Sequence, residues 1–358
     1  MISIIYPYRN RELARIKKSL DSLVFQSNTK FKVIFVDYGS DLDMAISVKE
    51  LVAQYDFAGY IYSFHINQPW SRSKAINIGL RQTETDYVFV ADIDIIFHHS
   101  FIRRLYELKN EHQNIYFQVG YLSQQESLVI KNFENYAIDS TSIAEAKGLS
   151  FFKLNDLMQI GGFDEFFHFW GAEDEDVHNR LQNAGFFSKF YNEEILLLHQ
   201  WHKSFDTLLK NKLTVDGRFD DVFNLNKQKL RFNQRNSVID INSHQWGKLI
   251  NEKEYNRLNT NVEPIVLKSK KQVIDNFIEI ILPNTHSEII NVVFKEDIYQ
   301  HTWMFKIKRI LGIKTQSYYS LKEVNDLVIK SIVIYYRYHQ FTYSVSSDLK
   351  SINLKIVK

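Results

Sequence analysis

The sequence predicts an α/β fold: a mixed, mostly parallel sheet flanked by helices, followed by a smaller, helical C-terminal region. Three observations lead there. Apolar runs of strand length alternate with segments of helical period through the first 100 residues. Short polar loops fall at the carboxyl end of each run, where ligands of such sheets bind. At 358 residues the chain exceeds most single cores, so one large domain (residues 1–250) and an accessory region (251–358) are expected.

The elements follow in order. Ile2–Tyr6 is a buried strand ended by Pro7. Arg11–Phe25 places Leu13, Ile16, Leu20, Leu23 and Val24 at helical spacing. Phe31–Val36 is a second strand, closed by the turn Asp37–Asp41, and Met44–Tyr55 a second helix. Tyr60–Ile66, Ser71–Arg81 and Tyr87–Ala91 read as strand, helix and strand. From Phe101 to Phe205 the pattern is irregular, apart from a turn at Gly161–Asp164 and an acidic helix at Glu173–Asn183. Beyond that, periodicity weakens as Asn, Lys and Gln accumulate through Asn236.

Composition narrows the function. A formal charge of +2 argues against nucleic acid as a partner, and zero cysteines exclude disulfides, thiolate metal sites and a Cys nucleophile. The opening residues lack a signal-peptide pattern, so a cytoplasmic location is the expectation. The last 56 residues hold ten Lys or Arg against three acids. That basic, Tyr-rich tail suits either peripheral docking on an anionic membrane or a solvated helical cap.

Four constellations carry chemistry. Asp92-Ile93-Asp94 leaves the apolar run Tyr87–Ala91. Two carboxylates released together from a buried strand offer hard oxygen ligands for Mg²⁺ or Mn²⁺, although a solvated acidic turn has the same letters. Trp170-Gly171-Ala172 precedes Glu173, Asp174, Glu175 and Asp176. The helix dipole accounts for Glu175 and Asp176. Trp170 and Gly171 beside Glu173 and Asp174 form a stacking platform with carboxylates for a sugar hydroxyl. His199 and His202 end the run Leu196–Leu198, and both are candidate metal ligands. Arg9, Arg11, Arg72 and Lys74 lie in loops at strand ends, where they can hold a diphosphate, with Asp37 in the neighbouring loop.

Taken in order, these pieces resemble the β-1,4-galactosyltransferase-like glycosyltransferases and related bacterial capsule enzymes such as chondroitin polymerase. The resemblance spans roughly residues 2–205. Tyr6–Arg11 is similar to the family's nucleotide loop, bringing in Pro7 and Tyr8. Trp70–Gly79 is similar to its aromatic-x-Arg-x-Lys-x-x-Asn-x-Gly segment, in which Trp70 and Arg72 would contact the nucleoside. Val90–Asp94, Gly161–Asp164, Trp170–Leu181 and His199–His202 follow. The resemblance implies a GT-A fold, a UDP-sugar donor, Mn²⁺ or Mg²⁺, a glycan or lipid-linked glycan acceptor and inversion at the transferred sugar. Asp94 would bind metal with His199, His202 or both. Asp92 and Ile93 would lie on the donor side, Asp174 would be the base, and Glu173, Trp170 and Gly171 would shape the sugar site. Ala172 departs from the family's Gly. The animal enzymes' anchor and cysteines have no counterpart, which favours a bacterial capsule or lipopolysaccharide role. A nucleotide-sugar hydrolase or pyrophosphorylase and a non-catalytic binding protein are the competing readings.

Overall fold

The computed structural model describes residues 1–203, 211–242, 245–286 and 288–358; the last two residues of the resemblance, 204–205, lie outside them. The chain divides into two compact units. The first comprises residues 1–64, 70–207 and 224–249; the second comprises 65–69, 208–223 and 250–358.

In the first unit, β1 (Ile2–Tyr8), α1 (Leu13–Val24), β2 (Phe31–Tyr38), α2 (Leu42–Val52), β3 (Ala58–Ser63), α3 (Arg72–Arg81) and β4 (Tyr87–Val90) alternate as expected. Next come β5 (Ile95–Phe97), α4 (Phe101–Leu108), β6 (Asn114–Phe117), β7 (Gly120–Leu122), α5 (Gln124–Leu128), β8 (Ile138–Thr141) and β9 (Ser150–Lys153). They are followed by α6 (Leu154–Gln159), α7 (Glu173–Asn183), β10 (Ser188–Tyr191), β11 (Leu197–His199) and α8 (Val222–Arg235). The main sheet runs β10-β6-β9-β4-β1-β2-β3, with β9 alone antiparallel to its neighbours. This is the architecture that the resemblance implies: a mixed, mostly parallel sheet between helices. Chain order reverses between β1 and β4, the place where such sheets open a crevice at their carboxyl ends.

Burial on both sides explains the unbroken apolar strands. Ile2, Ile4, Tyr6 and Tyr8 pack with Ile16 and Leu20 of α1, Val48 of α2 and Leu105 of α4. Ile5 packs on the other face with Ile76 of α3, Leu157 of α6 and Val177 of α7. Helix α3 approaches closely because residue 79 is glycine: a Cβ there would lie 2.6 Å from Ile5 Cγ2.

Several sequence expectations need correction. Pro7 does not end the first strand; it pairs in register with Val36. Ile5 turns its carbonyl to Ala91 of the β4 side, so Pro7, two residues on, faces the same way beyond the last residue of β4. No ladder bond needs its missing N–H there. The Asn-rich stretch that ends at Asn236 contains the 14-residue helix α8. Its buried side includes Asn226 and Asn233, whose amides serve loop carbonyls and carboxylates, so the apolar period is diluted.

The second unit is not simply helical. It contains α9 (Glu252–Asn256), β12 (Ile265–Lys268), α10 (Lys271–Asn276), α11 (Leu282–Asn284), β13 (Ile289–Lys295), α12 (Trp303–Ile310), α13 (Leu321–Ser331), β14 (Phe341–Val345) and β15 (Ser351–Val357). Its four strands form a sheet ordered β12-β13-β15-β14. Strands β13 and β15 bury alternate residues, Ile290, Val292 and Phe294 against Ile352, Leu354 and Ile356. That period of two was present in the sequence but masked by the helix-forming stretches around it.

Candidate active site

The loop after β4 is short. Ile95 N donates to Asp92 O (3.3 Å) as the chain turns into β5. Strand β5 pairs antiparallel with β11, His199 opposite Ile95, and Gln200 N donates to Asp94 O (3.0 Å). These bonds set Asp94 beside the imidazoles. Its Oδ1 lies 3.5 Å from His199 Nε2 and its Oδ2 3.5 Å from His202 Nε2. The structure thus brings both histidines to the same carboxylate. The turn is braced from behind: Gln200 Nε2 donates to Arg15 O, and Trp201 N to Ser127 Oγ.

Asp94 is buried, and its Oδ1 has no hydrogen-bond partner. A buried carboxylate oxygen left unsatisfied costs on the order of 1–3 kcal/mol. Two imidazole nitrogens and a carboxylate, with ligand atoms within 4.8 Å of one another, fit a divalent ion accepting N and O donors, Mn²⁺ included.

Arg72 links this group to the second constellation. It donates through Nε to Asp92 Oδ1 (3.0 Å) and through a terminal nitrogen to Gly148 O (2.9 Å), and lies 3.8 Å from Glu173 Oε1. Burial works against its charge, but Asp92, Glu173 and Asp174 outweigh that and hold its pKa above the ordinary value. Burial and the adjacent Asp174 push Glu173 up to about 7, against the pull of Arg72. Asp174 Oδ1 accepts from the Glu175 amide (2.9 Å). A Cβ at Gly148 would lie 3.8 Å from the other oxygen, Oδ2.

The approach to Glu173 is held in an uncommon backbone. Phe169, Gly171 and Ala172 have φ of 60°, 94° and 78°, and left-handed non-glycine residues concentrate at functional sites. Trp170, 44% exposed, rides on this loop. Asn226 of α8 clamps it, donating to the carbonyls of His168, Trp170 and Gly171 at 3.0–3.1 Å. The dipole account of Asp176 is incomplete: it is fully buried, 2.7 Å from Arg180 Nε, and accepts from Asn233. Breaking such a pair costs about 3–5 kcal/mol.

The donor-side candidates form a second group at the ends of β1 and β2. Asp37 is buried, accepting from the Ser40 amide and Tyr60 hydroxyl (both 2.8 Å); burial raises its pKa despite these bonds. Burial lowers the pKa of Arg9 while Tyr38, Asp37 and Asp41 oppose it, and from so high a starting value it stays charged. Trp70 meets Tyr38 edge-on at 5.7 Å. Arg11 is exposed. Lys74 is buried in the first turn of α3, its amide capped by Ser71 Oγ. Three candidates have other duties. The Tyr8 ring is core and its hydroxyl donates to Arg11 O. Pro7 is buried in β1, and the Ile93 side chain packs in the main hydrophobic cluster, leaving only its backbone for the donor.

Two residues escape the sequence reading. Tyr121 of β7 stands opposite His199 in the small sheet, ring to ring at 5.6 Å. Its pKa is raised by burial and, behind that, by the charges of Asp92 and Asp174. Asn226 is the other. Neither sits in a motif; Tyr121 occupies a three-residue strand and Asn226 a polar run.

Residues 3–180 match the model of Glycosyl transferase family 2. Human chondroitin sulfate synthase 3 is 25% identical over 143 residues, 37% of this chain and 16% of that protein. The mouse protein is 20% identical over 202 residues, 52% of this chain and 22% of its own length. The chain thus matches about a fifth or less of these relatives. Among solved structures, S. aureus TarS residues 1–349 in complex with UDP superposes with a TM-score of 0.43 at 16% identity, covering 55% of this chain and 59% of that one. The mannosyltransferase PcManGT of Pyrobaculum calidifontis, in complex with GDP-Man and Mn²⁺, gives 0.41 at 17%, covering 56% and 57%.

Proposed function

We propose that this chain, whose residues 3–180 form a glycosyl transferase family 2 domain, is a metal-dependent inverting enzyme. It would move a hexose or N-acetylhexosamine from a UDP-sugar to a hydroxyl of a glycan or lipid-linked glycan, in bacterial capsule or lipopolysaccharide synthesis. The observation that carries the reading is one connected set of groups. Asp94 stands between His199 and His202, and Arg72 bridges the neighbouring Asp92 to Glu173.

Asp94, His199 and His202 would hold Mn²⁺ or Mg²⁺. Bound there, the cation supplies Lewis-acid neutralisation of the diphosphate leaving group. Arg72, charged and fixed by Asp92, adds positive potential that needs no reorganisation, with Arg9 and Arg11 on the nucleotide side. Asp37 positions the loop that carries Ser40, and Trp70 stacks toward the base. Lys74 acts through the capped first turn of α3. Trp170 and Gly171 seat the sugar, and Glu173 accepts from its hydroxyls. Asp174 Oδ2 takes the acceptor hydroxyl's proton. The acceptor oxygen then bonds to the anomeric carbon as the bond to the phosphate oxygen breaks on the opposite face, giving inversion without a covalent intermediate. Residues 1–250 are read as the catalytic domain and 251–358 as an accessory region with peripheral membrane contact, at the cytoplasmic face.

The test is transfer from a panel of UDP-sugars, with Mn²⁺ or with chelator, with and without glycan acceptors. Asp174→Asn should lower turnover by about 10²–10⁴-fold while UDP still protects against heating. Equal turnover in chelator sinks the metal role, and release of free sugar regardless of acceptor makes the enzyme a hydrolase.

A further inference from the structure

Helix α12 lies the wrong way round for a helix of a water-soluble surface. Trp303 (80% exposed), Met304, Ile307, Ile310 (83%) and Leu311 all face solvent. Only Phe305 is buried, edge-on to Tyr299 and Tyr318. At about 100° per residue the five exposed side chains occupy one arc roughly 120° wide. Lys306 and Lys308 fall just outside its two edges, so their stems can lie along the apolar strip while their ammonium groups reach outward. Gly312, with φ of 68°, closes the helix by letting Ile313 N reach back to Lys308 O. Exposed Ile313 and Lys314 follow, and exposed Ile298 precedes the helix.

Charge identifies the occupant. No Asp or Glu occurs from Ile298 to Lys322, against Lys306, Lys308, Arg309, Lys314 and Lys322. The acids just before this stretch are already matched, Glu296 with His301 (3.0 Å) and Asp297 with Lys270 (3.5 Å). Two copies of the face would set cations against cations, with no acid on the strip to relieve them. Among the described residues no helix is long and apolar enough to cross a membrane. We infer that Trp303–Lys314 is an in-plane docking helix for an anionic lipid bilayer. Trp303, Met304, Ile307, Ile310 and Leu311 enter the headgroup–acyl boundary, and Lys306 and Lys308, at the two edges of the strip, hold lipid phosphates. This gives residues to the peripheral membrane contact proposed above. It rests on no property of the transfer site, so either reading can fail alone.

The experiment is vesicle flotation of the full chain. It should float with phosphatidylcholine vesicles containing about 30% phosphatidylglycerol, not with phosphatidylcholine alone, and detach as salt rises. Lys306→Gln/Lys308→Gln should weaken binding roughly 25-fold, from about fivefold per cation. Trp303→Ser/Ile310→Ser should abolish flotation, with the melting temperature of both variants unchanged because these side chains are exposed. In the wild type, the emission lost on Trp303→Phe should shift blue with anionic vesicles. Absence of flotation, equal flotation with neutral vesicles, or undiminished binding by both variants overturns the proposal. So does self-association that the variants abolish without any lipid binding.

Discussion

Two clusters of two imidazoles and one carboxylate stand at opposite ends of the three-residue strand β5, and they are not equivalent. Before it, Asp94 faces His199 and His202; after it, His98 and His99 face Glu134. Asp94 is buried, both Nε2 distances are 3.5 Å, and its Oδ1 is unpartnered. Glu134 is more than half exposed and already paired with His98 Nε2 at 3.1 Å, while Ser100 engages His98 Nδ1. Composition is the same; the demand differs. A buried oxygen without a hydrogen bond gains from an ion, whereas an exposed, satisfied carboxylate has little to gain. Ligand identity alone therefore overstates the second cluster, and burial separates the two.

The contrast is sharpest in metal affinity. Asp94→Asn should weaken Mn²⁺ binding by about 100-fold or more, read by calorimetric titration, since even outer partners of metal ligands are worth 10–100-fold. If Glu134→Gln had the larger effect, the two assignments would be reversed. Next comes the clamp beside the first cluster. Asn226→Ala removes one donor from each of the His168, Trp170 and Gly171 carbonyls and should destabilise by about 1–3 kcal/mol in urea, with turnover falling more than donor affinity. Unchanged turnover would separate the Trp170 loop from catalysis.

A pH series gives a smaller effect with a definite sign. Glu173 is raised to about 7, so folding protects its proton; this favours the native state most below pH 4.5 and is lost as pH climbs to about 7. Buried His178 is lowered to about 3, so its contribution is complete above pH 6.5 and erodes as pH falls toward 3. Glu173→Gln should flatten the melting temperature between pH 5 and about 7; a slope identical to wild type would refute the ionisation assigned to it. Smallest of all, Glu134→Ala removes only the exposed partner of His98 and should change stability by no more than about 1 kcal/mol and leave Mn²⁺ dependence intact.

What sequence could reveal follows from the same distinction. Asp92, Asp94, Glu173, Asp174, His199 and His202 announce themselves because each leaves an apolar strand or opens a helix; the structure gathers Asp94 with His199 and His202 and ties Asp92 to Glu173 through Arg72. Fully buried strands likewise left unbroken apolar runs at β1, β2 and β4. Hidden were groups whose role depends on a partner far along the chain: Asn226 on the carbonyls of 168, 170 and 171, Asp176 on Asn233, Tyr121 across from His199. The sheet β12–β15 was obscured because its strands alternate with helices of similar composition. Pro7 misled in the opposite direction, its missing donor costing nothing beyond the end of β4.

Ala172 carries a consequence for redesign. Its φ of 78° is a conformation that costs an alanine about 1–2 kcal/mol and a glycine little. Glycine at 172 would relieve that strain and also free the hinge beneath Trp170. On the proposed reading of Trp170 as the sugar platform, the native methyl would trade folding energy for a narrower swing of the indole. Libraries meant to broaden acceptor choice would then begin by removing it, and libraries meant to sharpen that choice would leave it alone.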